Sequence, residues 1–64
     1  MPYQSIGDLP DRVQNVLPSD AQHIFLAAFN SAEQYYRDDV TSFKVAWAAV
    51  EKQYRKVGGV WKRK

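Results

Sequence analysis

The chain contains no cysteine, a single histidine and no acidic residue after Glu51. The first absence excludes disulfides and any zinc–thiolate site. With only one histidine beside it, a transition-metal centre lacks its usual ligands. Long apolar runs are also missing. None is longer than the one at residues 45–50, far short of the roughly 20 residues that a membrane-spanning helix needs. The opening MPYQSIGD has neither the basic segment nor the apolar core of a secretory leader. These absences lead us to expect a soluble, cytoplasmic protein with no metal and no cofactor.

What remains is short and rich in rings. Sixty-four residues make one domain, taken as 1–64. A chain of this size buries only about 60% of the surface its unfolded form exposes. Its core supplies no more than about 3–5 kcal/mol net. Tyr3, Phe25, Phe29, Tyr35, Tyr36, Phe43, Trp47, Tyr54 and Trp61 are the material for that core.

The pair Leu-Pro occurs twice, at residues 9–10 and 17–18. Proline fits the first turn of a helix, where its missing N–H costs nothing. Asp8 is a candidate cap for a first helix carrying Val13, Val16 and Leu17, and Pro18 stops that helix by forcing Leu17 out of helical geometry. Ser19 followed by Gln22 has the form of a capping box. Ala21, Ile24, Phe25, Ala28, Phe29, Ala32 and Tyr36 then recur at steps of three and four, the signature of an amphipathic helix. Both Leu-Pro pairs are thus read as helix starts sharing a capping logic, and not as a repeat fold.

In RDDVTS the chain breaks, with Asp39 or Thr41 expected to cap a third helix. Its seam is Phe43, Trp47, Val50, Tyr54 and Val57. The stretch VAWAAV is apolar all round, which places it at the centre, touched on several sides. Gly58-Gly59 can end this helix in a left-handed cap. VWK at one end and PYQSI at the other alternate like strands. The expectation is a mainly α fold: a compact three-helix domain with a small two-stranded β-ribbon formed by the N- and C-terminal segments, Tyr3 lying beside Trp61.

Catalysis finds no support. Ser19, Asp20 and His23 crowd into one helical turn, and no strand–turn–helix elbow surrounds the serine. Asp38-Asp39 lacks the alternating oxygens and turn glycine of a calcium loop and is read as helix capping. The charge distribution is more informative. Residues 1–51 hold three basic and seven acidic side chains, a net of −4, whereas residues 52–64 hold six basic and none acidic, a net of +6. Lys52, Arg55 and Lys56, with Lys44 at the margin, are expected on the face opposite the seam, and Trp61, Lys62, Arg63 and Lys64 continue the patch. Cations beside an aromatic can hold phosphates and stack a base. The same set can grip an acidic loop or anionic lipid heads. It can also simply favour a helix C-terminus and keep the chain soluble.

MPY at the start, the two Leu-Pro pairs with Val13 between them, AFNSA, Tyr36, KVAWAAV, Tyr54 and the late Trp61 together resemble the ChaB family nearly end to end. The resemblance implies a small, mainly helical protein with a minor strand element where its termini meet. It also implies a role in regulating cation transport, a description that rests on a neighbouring sodium/calcium–proton antiporter gene. It brings no catalytic residues. Asn30 stands on the polar face of the second helix, where it either bonds to a neighbouring loop or touches a partner. ChaB-like proteins often carry a longer, highly charged loop between the second and third helices, and here only RDDVTS remains. The resulting reading is a non-enzymatic interaction module that regulates a cation/proton antiporter by contacting an acidic or membrane-proximal surface through its basic end. The alternative is a small nucleic-acid-binding protein using the same residues.

Overall fold

Each Leu-Pro pair does start a helix, and it does so without a side-chain cap. In the computed structural model, which describes residues 3–64, Pro10 and Pro18 are themselves the residues before the helices α1 (Asp11–Gln14) and α2 (Ser19–Tyr36). Both are held extended, with ψ of 147° and 162°. Asp8 is therefore not the cap: it closes a 3-10 turn over Ile6–Asp8, and α1 is a single turn. Ser19 is likewise the first helical residue and not a cap, so no capping box forms.

A pair of glutamines serves the carbonyls ahead of the helices instead. Gln14 Nε2 donates to the Leu9 carbonyl at 2.6 Å and to the Gly7 carbonyl at 3.0 Å. Eight residues on, Gln22 Nε2 donates to the Leu17 carbonyl at 2.8 Å and to the Gln14 carbonyl at 3.2 Å. The unit is Leu-Pro-x-x-x-Gln, used twice. The leucine carbonyl before each proline is off the helical ladder, and a half-buried carbonyl left unpaired is costly. The glutamine one turn into each helix reaches back and satisfies it. Leu9 and Leu17 are buried in turn, as are Val13 and Ala21 within the two units.

α2 ends at Arg37, a left-handed cap with φ 50° whose N–H bonds to the Glu33 carbonyl at 3.1 Å. The break before α3 (Asp39–Gln53) is only two residues long. Asp38, not Asp39 or Thr41, is its cap: the carboxylate accepts from the Val40 N–H at 3.1 Å and from the Thr41 hydroxyl at 2.8 Å. So short a connection makes α2 and α3 antiparallel neighbours. The ring contacts confirm the direction, since Phe25 meets Trp47 while Phe29 meets Phe43.

α2 buries Ala21, Phe25, Phe29 and Ala32 against Ser42, Ala46 and Val50 of α3. The seam of α3 is thus rotated from the expected one. Small residues form its centre line and let the helices approach, while Phe43 and Trp47 flank it, half-buried. Val45 is half-buried and Ala48 exposed, so the apolar stretch is covered on most sides but not all. Tyr36, expected in the stripe, is 57% exposed.

The largest departure is at the C-terminus. α3 stops at Gln53, and Tyr54 turns extended with φ −128° and ψ 157°. Strands β1 (Tyr54–Val57) and β2 (Val60–Arg63) pair antiparallel, Tyr54 opposite Arg63 and Val57 opposite Val60. Lys64 N–H adds a rung to the Gln53 carbonyl at 3.0 Å. The expected ribbon exists, but both strands come from the C-terminal segment. Gly58 and Gly59, with φ of 58° and 82°, form its two-residue turn and do not cap a helix. Two successive positive φ values are what a tight hairpin of this twist demands.

At the other end, Pro2 of the expected N-terminal strand lies outside the described residues. Tyr3 is not beside Trp61 in a ribbon. Its ring packs on Phe29 with centroids 4.8 Å apart, and Trp61 stacks on Trp47 at 5.7 Å. Asn30 holds the Tyr3 backbone from both sides, accepting its N–H at 2.9 Å and donating to its carbonyl at 2.8 Å. The polar-face asparagine thus bonds to the N-terminal segment.

Candidate functional site

The hairpin register sorts the basic residues. Paired residues on antiparallel strands share a face, and successive residues alternate. Tyr54, Lys56, Trp61 and Arg63 therefore share one face, and Arg55, Val57, Val60 and Lys62 share the other. The first face is turned to the helices. Tyr54 is buried in the core, Trp61 lies on Trp47, and the Arg63 guanidinium sits 5.7 Å from the centre of the Tyr54 ring. All four residues of the second face are exposed.

The structure thus gathers Arg55, Lys56, Lys62 and Arg63 on one finger, with Lys64 continuing β2 and Lys52 standing at the end of α3. It does not place Arg55 and Lys56 together on a helix face, as expected, but on opposite faces of a strand. Lys44 is not at this margin: it lines a separate cleft with Arg12 and Asp39. A cleft of about 320 Å³ where the end of α3 meets the hairpin is lined by Glu51, Tyr54, Arg55, Lys56, Trp61 and Lys64.

Arg55 lies directly across from Lys62. Like charges at opposed strand positions destabilise a sheet. Beyond them Val57 and Val60 face each other at the tip, 43% and 56% exposed. The outward face therefore holds two opposed cations and, beyond them, two exposed valines.

A second polar cluster, missed in the sequence, joins α2 to α3. Glu33 is nearly buried and accepts from the Ser42 hydroxyl at 3.0 Å. A hydrogen bond with the Glu33 side chain is the chief influence holding the Asp39 carboxyl below its ordinary value. Burial, and then the Asp39 charge, push the Tyr3 phenol above its ordinary value, against the pull of Arg12. The guanidinium of Arg12 stands 4.7 Å over the Phe43 ring, and the cleft these groups border measures about 420 Å³. Glu33 is not among the apolar residues whose recurrence marks α2. Only its partner from another helix explains its burial, and no local pattern announces that partner. Ser19, Asp20 and His23 are all exposed on the opening turns of α2.

A small body of three helices, as expected, bearing a basic hairpin defines a class of compact α domains with a charged appendage. The ChaB family model matches residues 9–64, and the chain belongs to that family. It is 47% identical to the "Putative cation transport regulator ChaB" of Escherichia coli strain K12, over 88% of this chain and 87% of that one. The protein of the same name from Shigella flexneri gives the same figures. A solved structure, the NMR solution structure of the putative cation transport regulator ChaB, superposes with a TM-score of 0.78 at 43% identity, covering 98% of this chain and 99% of that one. Among the described residues, no helix is long and apolar enough to cross a membrane.

Proposed function

We propose that this protein is a non-enzymatic regulator of cation transport that works in the cytoplasm by docking. Its contact surface is the basic end: Lys52, Arg55, Lys56, Trp61, Lys62, Arg63 and Lys64. The target is a cation/proton antiporter, met at an acidic or membrane-proximal surface. The role is supported by the relatives' printed name. The contact surface is supported by one observation above the rest, the opposed Arg55 and Lys62 on an exposed strand face. A body of net −4 and an appendage with no acidic residue also give the molecule one positively charged end.

Capture of the antiporter by tagged protein tests the reading. Changing Lys52, Arg55 and Lys56 together to glutamate should abolish capture. Unchanged capture would discard the basic end as the contact. The nucleic-acid alternative uses the same cations and needs Trp61 as a platform for a base. One face of that ring is already taken by Trp47. Binding that neutralises about five phosphates should weaken with salt at a log–log slope near ~−4. A titration with duplex and single-stranded DNA at about 50 mM salt that shows no binding removes this alternative.

A further inference from the structure

We infer that the outward face of the hairpin is a docking surface for an anionic lipid bilayer, with the Gly58-Gly59 tip entering the headgroup layer. The inference rests on the reading of the basic end as the contact surface and names what that surface meets.

Four observations carry it. Arg55 and Lys62 stand side by side on a hairpin that itself holds no acidic residue, Glu51 at the end of α3 bordering the same cleft as Arg55. Their repulsion weakens the ribbon, and an external layer of negative charge relieves it. Val57 and Val60 lie further out on the same face and are exposed. Apolar tips flanked by cations are the composition of surfaces that settle at a membrane interface, the cations held by anionic headgroups and the apolar groups at the acyl boundary. The tip itself is two glycines with no side chain to obstruct approach. Finally, the aromatic that would read a nucleic acid, Trp61, is on the opposite face and packed on Trp47. The outward face thus has charge and aliphatic surface but no stacking platform, which favours lipid over single-stranded nucleic acid. An acidic body behind a basic finger also orients the molecule, since an anionic bilayer repels the first and attracts the second.

Each cation held near such a surface strengthens binding by about fivefold, and salt screens the attraction within a Debye length. Sedimentation with large vesicles should therefore show binding to an equal mixture of phosphatidylglycerol and phosphatidylcholine, none to phosphatidylcholine alone, and release at about 0.5 M salt. Arg55→Glu with Lys62→Glu should weaken binding by at least about 25-fold. Because that variant exchanges one like-charge pair for another, Arg55→Glu alone is the sharper control. It places opposite charges across the ribbon, so it should raise the unfolding temperature while lowering vesicle affinity.

The absence of cysteine makes the tip directly readable. Val60→Cys carrying an environment-sensitive dye should blue-shift on anionic vesicles, while the same dye at Gln34→Cys on α2 should not. Equal binding to neutral and anionic vesicles would overturn the inference, as would a shift at Gln34 without one at Val60. Retention on DNA without vesicle binding would assign the face to nucleic acid and overturn it too. Failure of the unaltered protein to capture the antiporter, with vesicle binding intact, would sink the transporter reading and leave this one standing.

Discussion

The helical body and the C-terminal hairpin solve the same physical problems in opposite ways. In the body, polar groups placed at awkward positions find partners. Gln14 and Gln22 satisfy the carbonyls ahead of the prolines, Asn30 clamps Tyr3, Ser42 meets Glu33 and Asp38 caps α3. Its rings interlock, with Phe25 touching Phe29, Phe43 and Trp47. In the hairpin, four cations share ten residues with no acidic one. Two of them are opposed, and two valines are left uncovered. Tyr54 and Trp61 tie the ribbon to the core, and the outward face contributes nothing to it. Such a division separates the residues that hold the fold from those we propose as the contact surface.

Substitutions can break this contrast in a graded order. Phe25 is fully buried at the centre of the ring cluster. Phe25→Ala should cost about 3–5 kcal/mol, as much as the whole stability expected of a chain this short. Loss of the cooperative transition in urea, followed by circular dichroism, is the expected result. A folded, cooperative variant would show that the ring cluster is not what holds the body.

Asn30→Asp comes next. It keeps the acceptor for the Tyr3 N–H but replaces the donor facing the Tyr3 carbonyl, and one lost, part-buried bond should cost about 1–3 kcal/mol. The denaturation midpoint should fall, and amide exchange of Tyr3 should quicken. An unchanged midpoint would mean that the N-terminal segment is not part of the body's stability. In the hairpin, Gly58→Ala places a side chain at φ 58°, for a smaller loss of about 1 kcal/mol. That loss should fall on the hairpin amides and spare those of α2.

Acid sharpens the comparison without a large substitution. The Asp39 carboxyl is held below its ordinary 3.8, chiefly by its hydrogen bond with Glu33. A group depressed in the folded state binds its proton more readily when unfolded. Its contribution is therefore full above 3.8 and is lost as pH falls through the lower, folded value. Between about pH 5 and pH 2 the wild type should lose more stability than Asp39→Asn, measured as urea midpoints. Identical acid limbs would show that this carboxyl does not couple α2 to α3.

Much of the body could be read from the sequence. The three- and four-residue steps of α2 hold over most of its length, and only one secondary structure fits them. The prolines were sound markers of helix starts. The eight-residue recurrence of Gln14 and Gln22 with the Leu-Pro pairs was visible, yet its meaning was not, because a glutamine inside a helix has no fixed partner. RDDVTS offered several side chains able to cap, and spacing alone could not choose Asp38. The hairpin was the harder case. Tyr54 and Val57 continue the helical steps of Trp47 and Val50, while Tyr54 to Val57 and Val60 to Arg63 flank a double glycine as hairpin strands do. Over four residues, the two periods cannot be told apart. The cations of the C-terminal segment are plain in the sequence, but their sorting onto two faces depends on the strand register, which that ambiguity hid, and Lys44 lies at another cleft.

Amide hydrogen exchange, recorded with and without anionic vesicles, tests the division of the molecule most directly. The account predicts that free protein exchanges faster in residues 55–62 than along the buried face of α2, and that vesicles slow exchange in residues 55–62 while leaving α1 and α2 unchanged. Hairpin amides as slow as those of α2 in the free protein, or vesicle protection appearing on the helices instead, would contradict it.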